Sequence, residues 1–194
     1  MIELKGITEL VGECGAGKSI LALSIEKDAK TLYISQTQIK FSFILSSVVL
    51  KRIDSFFKLK IFVFCELNSI VKSFGFKKII LDGLEDFLYV FERPRKLSND
   101  IFRIVTSLKR LYFKDQINIL IINSHYKDWS IENTTVSNRY FGLPWEYLIN
   151  HRYLITRAGG KRYIELVSGK ENCKSQFYID NNGAHYLEDN SELT

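Results

Sequence analysis

Ile7-Thr8-Glu9-Leu10-Val11-Gly12-Glu13-Cys14-Gly15-Ala16-Gly17-Lys18-Ser19-Ile20-Leu21-Ala22-Leu23 is the stretch that decides the fold. Residues 12–19 fit the pattern G-x-x-x-x-G-K-[ST] without a mismatch. An apolar run, Ile7 to Val11, precedes them and reads as a strand; Ile20 to Ile25 reads as the start of a helix. Strand, glycine loop and helix in that order make a phosphate cradle. The glycines let successive backbone N–H groups turn inward, and the positive end of the helix adds to their field. Lys18 is placed to reach the β- and γ-phosphates, and Ser19 to take a position on Mg²⁺. Gly12, Glu13, Cys14, Gly15, Ala16, Gly17, Lys18 and Ser19 are therefore the candidate nucleotide-binding residues, with ATP and Mg²⁺ as ligands.

Outward from this loop, strand and helix signals alternate. Thr31 to Ile34 reads as a second strand, and apolar residues at 41, 44, 45, 48, 49, 53, 56 and 57 predict a helix over Phe41 to Phe57. Ile61 to Phe64 reads as a buried strand, followed by a short helix through Ile70 and Val71. Lys78-Ile79-Ile80-Leu81-Asp82 is nearly continuous in apolar character, as in a parallel sheet covered on both faces. Asp100 to Tyr112 has helical periodicity, and Ile117 to Ile122 is another buried strand. The order argues for an α/β fold, a mainly parallel sheet flanked by helices. The last third differs. Tyr153 to Arg157 and Arg162 to Val167 flank a glycine turn at Gly159-Gly160, and Gln176 to Ile179 pairs with Ala184 to Leu187 around Asn181-Asn182-Gly183. Antiparallel strands thus extend the sheet at its C-terminal end. One domain is expected over residues 1–187, with an acidic, frayed tail at 188–194.

The chain has 194 residues, 46% hydrophobic and 25% charged, which suits one globular α/β core. No apolar run approaches the ~20 residues that span a bilayer, and the first strand begins too early to leave room for a targeting peptide. Cys14, Cys65 and Cys173 are odd in number and far apart, without metal-ligand spacing to His125, His151 or His185. That pattern fits a reducing compartment. The net charge of +5 is compatible with a polyanionic partner and equally with a solvated basic face.

Asp82 ends an apolar strand, where its carboxylate reaches the carboxyl edge of the sheet at which α/β proteins bind ligands. A carboxylate there holds a water of the Mg²⁺ shell. Glu85 and Asp86 follow closely, so either could take that role one turn later, and Glu85 is also the candidate for a catalytic acid.

Together these segments resemble the ATPase core of the RecA/RadA recombinase superfamily, and within it the eukaryotic recombinase paralogues and archaeal RadB. Gly6-Ile7-Thr8-Glu9-Leu10-Val11-Gly12-Glu13 looks like the family's approach to its phosphate loop. Ile79-Ile80-Leu81-Asp82 looks like its Walker B strand, and Ile119 to Asn123 like the strand that ends in Asn-Gln. Gly142-Leu143-Pro144-Trp145, then Ile149-Asn150-His151-Arg152 and Leu154-Ile155-Thr156-Arg157, resembles the paralogue pattern. The likeness runs in order from about residue 5 to residue 187. It implies an ATP-binding accessory factor of homologous recombination and double-strand-break repair, in the nucleus (or the cytoplasm of a prokaryote). The implied partners are single-stranded DNA and a recombinase or second paralogue, with no membrane.

The chain departs from the family at several points. The acid that activates the attacking water aligns with Thr37, and the sensor glutamine with Ser124. Ser168-Gly169-Lys170 stands where recombinases carry a segment that caps a neighbour's ATP. The family's helical N-terminal domain and linker strand have no counterpart, so the chain is expected not to polymerise alone. Losing the positioning groups removes much of what drives phosphoryl transfer, so DNA-dependent ATPase activity is expected to be weak or lost. The resemblance also implies two DNA-facing loops, one with Arg93, Arg95 and Lys96, the other with Lys127 and Arg139. Cations there suit phosphate contacts, and aromatics such as Trp129, Tyr140 and Phe141 suit base stacking. A solvated basic turn and ordinary aromatic packing account for the same residues. Trp145 reads as core. Phe56, Phe57, Tyr112 and Phe113 are candidate interface anchors, at least half of them expected in the core. A small P-loop kinase and a non-catalytic interaction module on the same fold are the alternative functions.

Overall fold

The computed structural model describes residues 2, 4, 6–37, 46–87, 94–124, 144–167 and 174–187, with backbone alone at 94–98, 144 and 146. Among these residues nine strands form one sheet: β1 (Ile7–Gly12), β2 (Thr31–Ser35), β3 (Val48–Arg52), β4 (Lys78–Asp82), β5 (Asn118–Ser124), β6 (His151–Ala158), β7 (Lys161–Leu166), β8 (Lys174–Asp180) and β9 (Gly183–Tyr186). Their order is β3-β2-β4-β5-β1-β6-β7-β8-β9. From β3 to β6 every pairing is parallel. From β6 to β9 every pairing is antiparallel. This is a mainly parallel α/β sheet with an antiparallel C-terminal extension, in agreement with the sequence reading.

The near-continuous apolar strands follow from burial on both faces, because successive side chains of a strand point to opposite sides. Leu32, Ile34, Ile79, Leu81, Ile119 and Ile121 join one hydrophobic cluster. Tyr33, Ile80, Leu120 and Ile122, the residues between them, join the other. The first cluster is covered by α2 (Phe56–Ile61), α3 (Leu67–Phe74), α4 (Pro94–Asp115) and α5 (Pro144–Leu148). The second is covered by α1 (Lys18–Ser24) and by the inner face of the antiparallel strands.

Two expectations fail. The predicted helix over Phe41 to Phe57 fails over Val48–Arg52, which is strand β3, in register with Thr31–Ser35; of its described residues only Phe56 and Phe57, at its end, are helical. The open edge of β2 offers pairing groups that a helix would leave unused, and Val48 and Val49 are β-branched. Tertiary pairing outweighs periodicity here. The predicted strand at Ile61 to Phe64 is helical: α2 runs through a π turn at Phe62–Glu66 into α3. Ser55 starts this helix by accepting a hydrogen bond from the Lys58 N–H at 3.3 Å. Phe56, Leu59, Phe62, Val63, Leu67 and Val71 then form its buried stripe. A run of four apolar residues fits a strand or a buried helix turn equally well; the neighbouring residues decide it.

Trp145 is core, as expected. Of the four candidate anchors, Phe56 is buried and Tyr112 half-buried, while Phe57 and Phe113 are exposed. Lys78 was read only as the start of a strand. It is buried, and its ammonium donates to the carbonyls of Ala22, Ile25 and Glu26 at the end of α1. Burial lowers its pKa to about 8.

Candidate nucleotide site

β1 delivers the glycine loop to the carboxyl edge of the sheet, and β4 delivers Asp82 to the same edge. β5 lies between them, so its last residues, Asn123 and Ser124, separate the loop from the carboxylate. Such an edge, where connections leave in opposite directions, is where open α/β sheets bind ligands. A cavity of about 370 Å³ lies there, lined by Cys14, Gly15, Gly17, Lys18, Ser19, Ile20, Asp82, Gly83, Glu85, Asp86, Ile122, Asn123, Ser124, Arg162 and Ile179. A larger concavity, about 740 Å³ between the π turn and α4, holds Arg103, Arg110 and Lys114 but no glycine loop and no carboxylate. The smaller one has the chemistry.

Gly17 has φ 99°, a left-handed conformation that side chains resist, and a Cβ there would collide with Ile179. Lys18 Nζ donates to the carbonyls of Gly12 and Glu13, at 2.7 and 2.9 Å. The loop thus holds its own lysine in place. Burial lowers the Lys18 pKa, opposed by the charges of Glu85 and Asp82. Ser19 Oγ donates to Asp82 Oδ2 at 2.8 Å, and the Tyr33 hydroxyl donates to the same oxygen. Burial raises the Asp82 carboxyl above its usual range, against those two hydrogen bonds and the Lys18 charge. It raises the Tyr33 phenol too, helped by Asp82.

After β4 the chain turns at Gly83, and a 3₁₀ turn, Leu84–Phe87, brings Glu85 back over the end of β5. Glu85 is 4% exposed. Its Oε1 accepts from the Ser124 N–H, and its Oε2 is buried without a partner among the described residues. Burial lifts the carboxyl to about 7. Asp86, also on the cavity wall, is raised by burial and by Asp82.

The site fits a divalent cation brought by phosphates. A serine hydroxyl and a carboxylate are hard oxygen donors, and Mg²⁺ takes few protein ligands, filling its shell with phosphate and water. Among the described residues no group of three or more His, Cys, Asp or Glu side chains forms an all-protein metal site. When bound, Mg²⁺ would be held by Ser19 and, through water, by Asp82, neutralising phosphate charge.

Of the sequence-derived residues, the loop, Asp82 and Glu85 meet in one cavity. Thr37 is exposed and does not line it, whereas Ser124 does. Arg93, Lys127 and Arg139 lie outside the described residues, as do Ser168 to Lys170 and the 188–194 tail; at Arg95 and Lys96 only the backbone is described. Sequence reasoning missed Tyr33 and Arg162. The position of Tyr33 two residues before the end of β2, beside Ile80, offered a signal only once the strand order was known.

No protein-family model and no curated protein sequence matches the chain. Among solved structures it is similar to a KaiC-like protein from the hyperthermophilic archaeon Pyrococcus horikoshii OT3. The TM-score is 0.67 at 15% sequence identity, over 94% of this chain and 89% of that one. The chain therefore has a RecA-like α/β fold. Among the described residues no helix is long and apolar enough to cross a membrane.

Proposed function

We propose that this chain binds Mg²⁺·ATP as a RecA-superfamily ATPase core, and serves as a recombinase paralogue that hydrolyses ATP slowly if at all. The observation that carries the nucleotide reading is the meeting of Ser19 Oγ and Asp82 Oδ2, 2.8 Å apart, beside the Lys18 ammonium and a glycine loop. The hydroxyl, carboxylate and lysine come from opposite sides of β5 and serve one ligand: a phosphate chain with its cation.

The paralogue reading draws on the segments that resemble that family. Glu9, Asn123, Trp145 and Arg152, scattered over the likeness, form one buried network. Slow turnover is supported by Thr37, which is exposed and off the cavity wall, and by Ser124, whose backbone N–H is engaged by Glu85. Among the described residues the acids at that edge are Asp82, Glu85 and Asp86, and none of them takes the position of Thr37. A non-catalytic interaction module is favoured by the same observation. A small kinase is disfavoured by the antiparallel C-terminal strands, since such kinases usually end in helices under an arginine-bearing lid.

As an accessory factor, the protein would act in the nucleus with a recombinase or second paralogue, and meet single-stranded DNA through Arg93, Arg95, Lys96, Lys127 and Arg139. Calorimetry with Mg²⁺·ATP, followed by steady-state hydrolysis with and without single-stranded DNA, tests the reading. Measurable binding and turnover below about 1 s⁻¹, the low end of ordinary enzyme rates, are expected. Faster turnover would make Glu85 the acid and end the slow-ATPase reading. Co-purification with a recombinase or paralogue tests the accessory role.

A further inference from the structure

The antiparallel strands are more than an extension of the sheet: their inner face runs along α1 and stops at the phosphate loop. On β7, residues 162, 164 and 166 share a face. Ile164 and Leu166 pack with Leu21 and Ala22 of α1, together with Phe177 and Ile179 of β8. At the far end of the helix the Ala184 N–H donates to Ser24 Oγ at 2.7 Å. Arg162 is the last residue of this face, and there the apolar surface ends. A Cβ built on Gly17 would lie 3.4 Å from Arg162 Nε, so the side chain rests on the loop itself.

One nitrogen of the guanidinium, the buried Nε, is left without an acceptor among the described residues. A buried donor without an acceptor is destabilising. The cavity has three carboxylates on its wall, Asp82, Glu85 and Asp86, yet no hydrogen bond joins any of them to Arg162 among the described residues. Lys18, meanwhile, is already occupied by the carbonyls of Gly12 and Glu13.

We propose that Arg162 is a second cationic subsite for the polyphosphate of the nucleotide held by its own chain. This rests on the nucleotide reading above. A phosphate chain supplies the acceptor that Nε lacks, in the planar fork geometry that suits guanidinium and not ammonium. It also adds a second cation beside Lys18 in a cavity whose wall carries Asp82, Glu85 and Asp86. The site is therefore selective for nucleoside polyphosphates over the nucleoside, through a residue about 140 positions beyond the loop motif.

Calorimetry with Mg²⁺·ATP and with adenosine, on wild type, Arg162→Gln, Arg162→Lys and Lys18→Ala, tests this. Arg162→Gln keeps a long side chain against Ile179 and is expected to raise the ATP Kd about tenfold; Arg162→Lys, which keeps the charge, about threefold. Adenosine binding is expected to be unchanged in both. Wild-type ATP affinity in Arg162→Gln, with affinity lost in Lys18→Ala, would overturn the proposal and leave the nucleotide reading intact. Wild-type affinity in Lys18→Ala as well would overturn both. The loss must also be independent of protein concentration; one that appears only as the protein is concentrated assigns the guanidinium to a neighbouring molecule's nucleotide and overturns the proposal. If Arg162→Gln melts early, Arg162→Met, with its apolar stem, carries the same expectation.

Discussion

Two polar clusters are strung along β1, and they differ in how far their hydrogen bonds are completed within the protein. At the middle of the strand Glu9, fully buried, accepts from Asn123 Nδ2 at 2.7 Å and Trp145 Nε1 at 3.1 Å on one oxygen, and from Arg152 Nε at 2.6 Å on the other. These donors come from β5, α5 and β6, so one carboxylate ties together three elements of the sheet's centre and its lower layer. At the carboxyl end of the same strand, Glu85 and Arg162 line the cavity, and Glu85 Oε2 and Arg162 Nε are buried without a partner among the described residues. A folded protein rarely leaves such groups unmatched unless something else supplies the match. The closed cluster, Glu9 with its three donors, explains how the fold holds; the open one marks the cavity in which the ligand is proposed to bind. Asn123 touches both: its amide nitrogen serves Glu9, while its Oδ1 lacks a partner among the described residues and the residue lines the cavity.

The comparison breaks most easily at its closed end. Arg152→Ala leaves the buried Glu9 side chain without its salt bridge, whose side chains are 9% and 0% exposed. Such a loss costs about 3–5 kcal/mol. Urea denaturation should show that drop, with ATP affinity retained by the fraction that stays folded. A cost below about 1 kcal/mol would mean that the Glu9 cluster does not hold the elements together.

Next in size is an effect of pH at the open end. Glu85 titrates near 7 when folded, against an ordinary 4.5, because burial disfavours its charge; Lys18, Asp86 and the Ser124 N–H are the groups that face it. Between pH 4.5 and 7 the folded state keeps a proton that the unfolded chain has released. Stability therefore falls as pH rises through this window, by about 3 kcal/mol at its upper end. Glu85→Gln is expected to flatten that slope. Parallel stability curves for wild type and variant would show that Glu85 is solvated and that the site is less closed to water than its geometry indicates.

How much of this was legible in the sequence depends on range. The phosphate loop was, because its chemistry is written in eight consecutive residues whose backbone does the binding. Strands β2, β4 and β5 were, because burial on both faces leaves their middles, residues 32–34, 79–81 and 119–122, without charged or amide side chains to blur them. The failures at Val48–Arg52 and Ile61–Phe64 share a cause: both depend on a partner distant in sequence, the open edge of β2 in one case and the sheet face that buries Phe62 and Val63 in the other. Arg162 was invisible for the same reason. Nothing in Lys161-Arg162-Tyr163 marks it until β7 is known to run back over α1. The likeness that joined Glu9, Trp145 and Arg152 in order along the chain was read as family signature, without a physical reason; the reason is the carboxylate they share.

A smaller effect, still within the open cluster, separates the loop's charge from its shape. Lys18→Ala removes the ammonium held by Gly12 and Glu13 and is expected to raise the ATP Kd about a hundredfold, with little change in melting temperature. Calorimetry beside a thermal melt checks both. Equal affinity in wild type and variant would empty the cavity of its proposed ligand, and the unmatched groups around it would need another explanation.

The smallest effect belongs to Cys14, which is exposed in the middle of the loop. If the loop binds with backbone N–H groups, the side chain at this position is a bystander, and Cys14→Ser should change ATP affinity less than about twofold. The thiol nevertheless lines the cavity, so a bulky group attached to it would fill the place of the phosphates. Maleimide labelling of Cys14, in a Cys65→Ser, Cys173→Ser background to remove the other thiols, should therefore abolish ATP binding, and Mg²⁺·ATP should slow the labelling in proportion to its occupancy. Serine and maleimide thus give opposite results at one atom, and only a site defined by its backbone and its empty volume predicts both. Labelling at the same rate with and without ATP would mean that the nucleotide, if bound, lies elsewhere, and would move the open cluster from ligand site to unexplained strain.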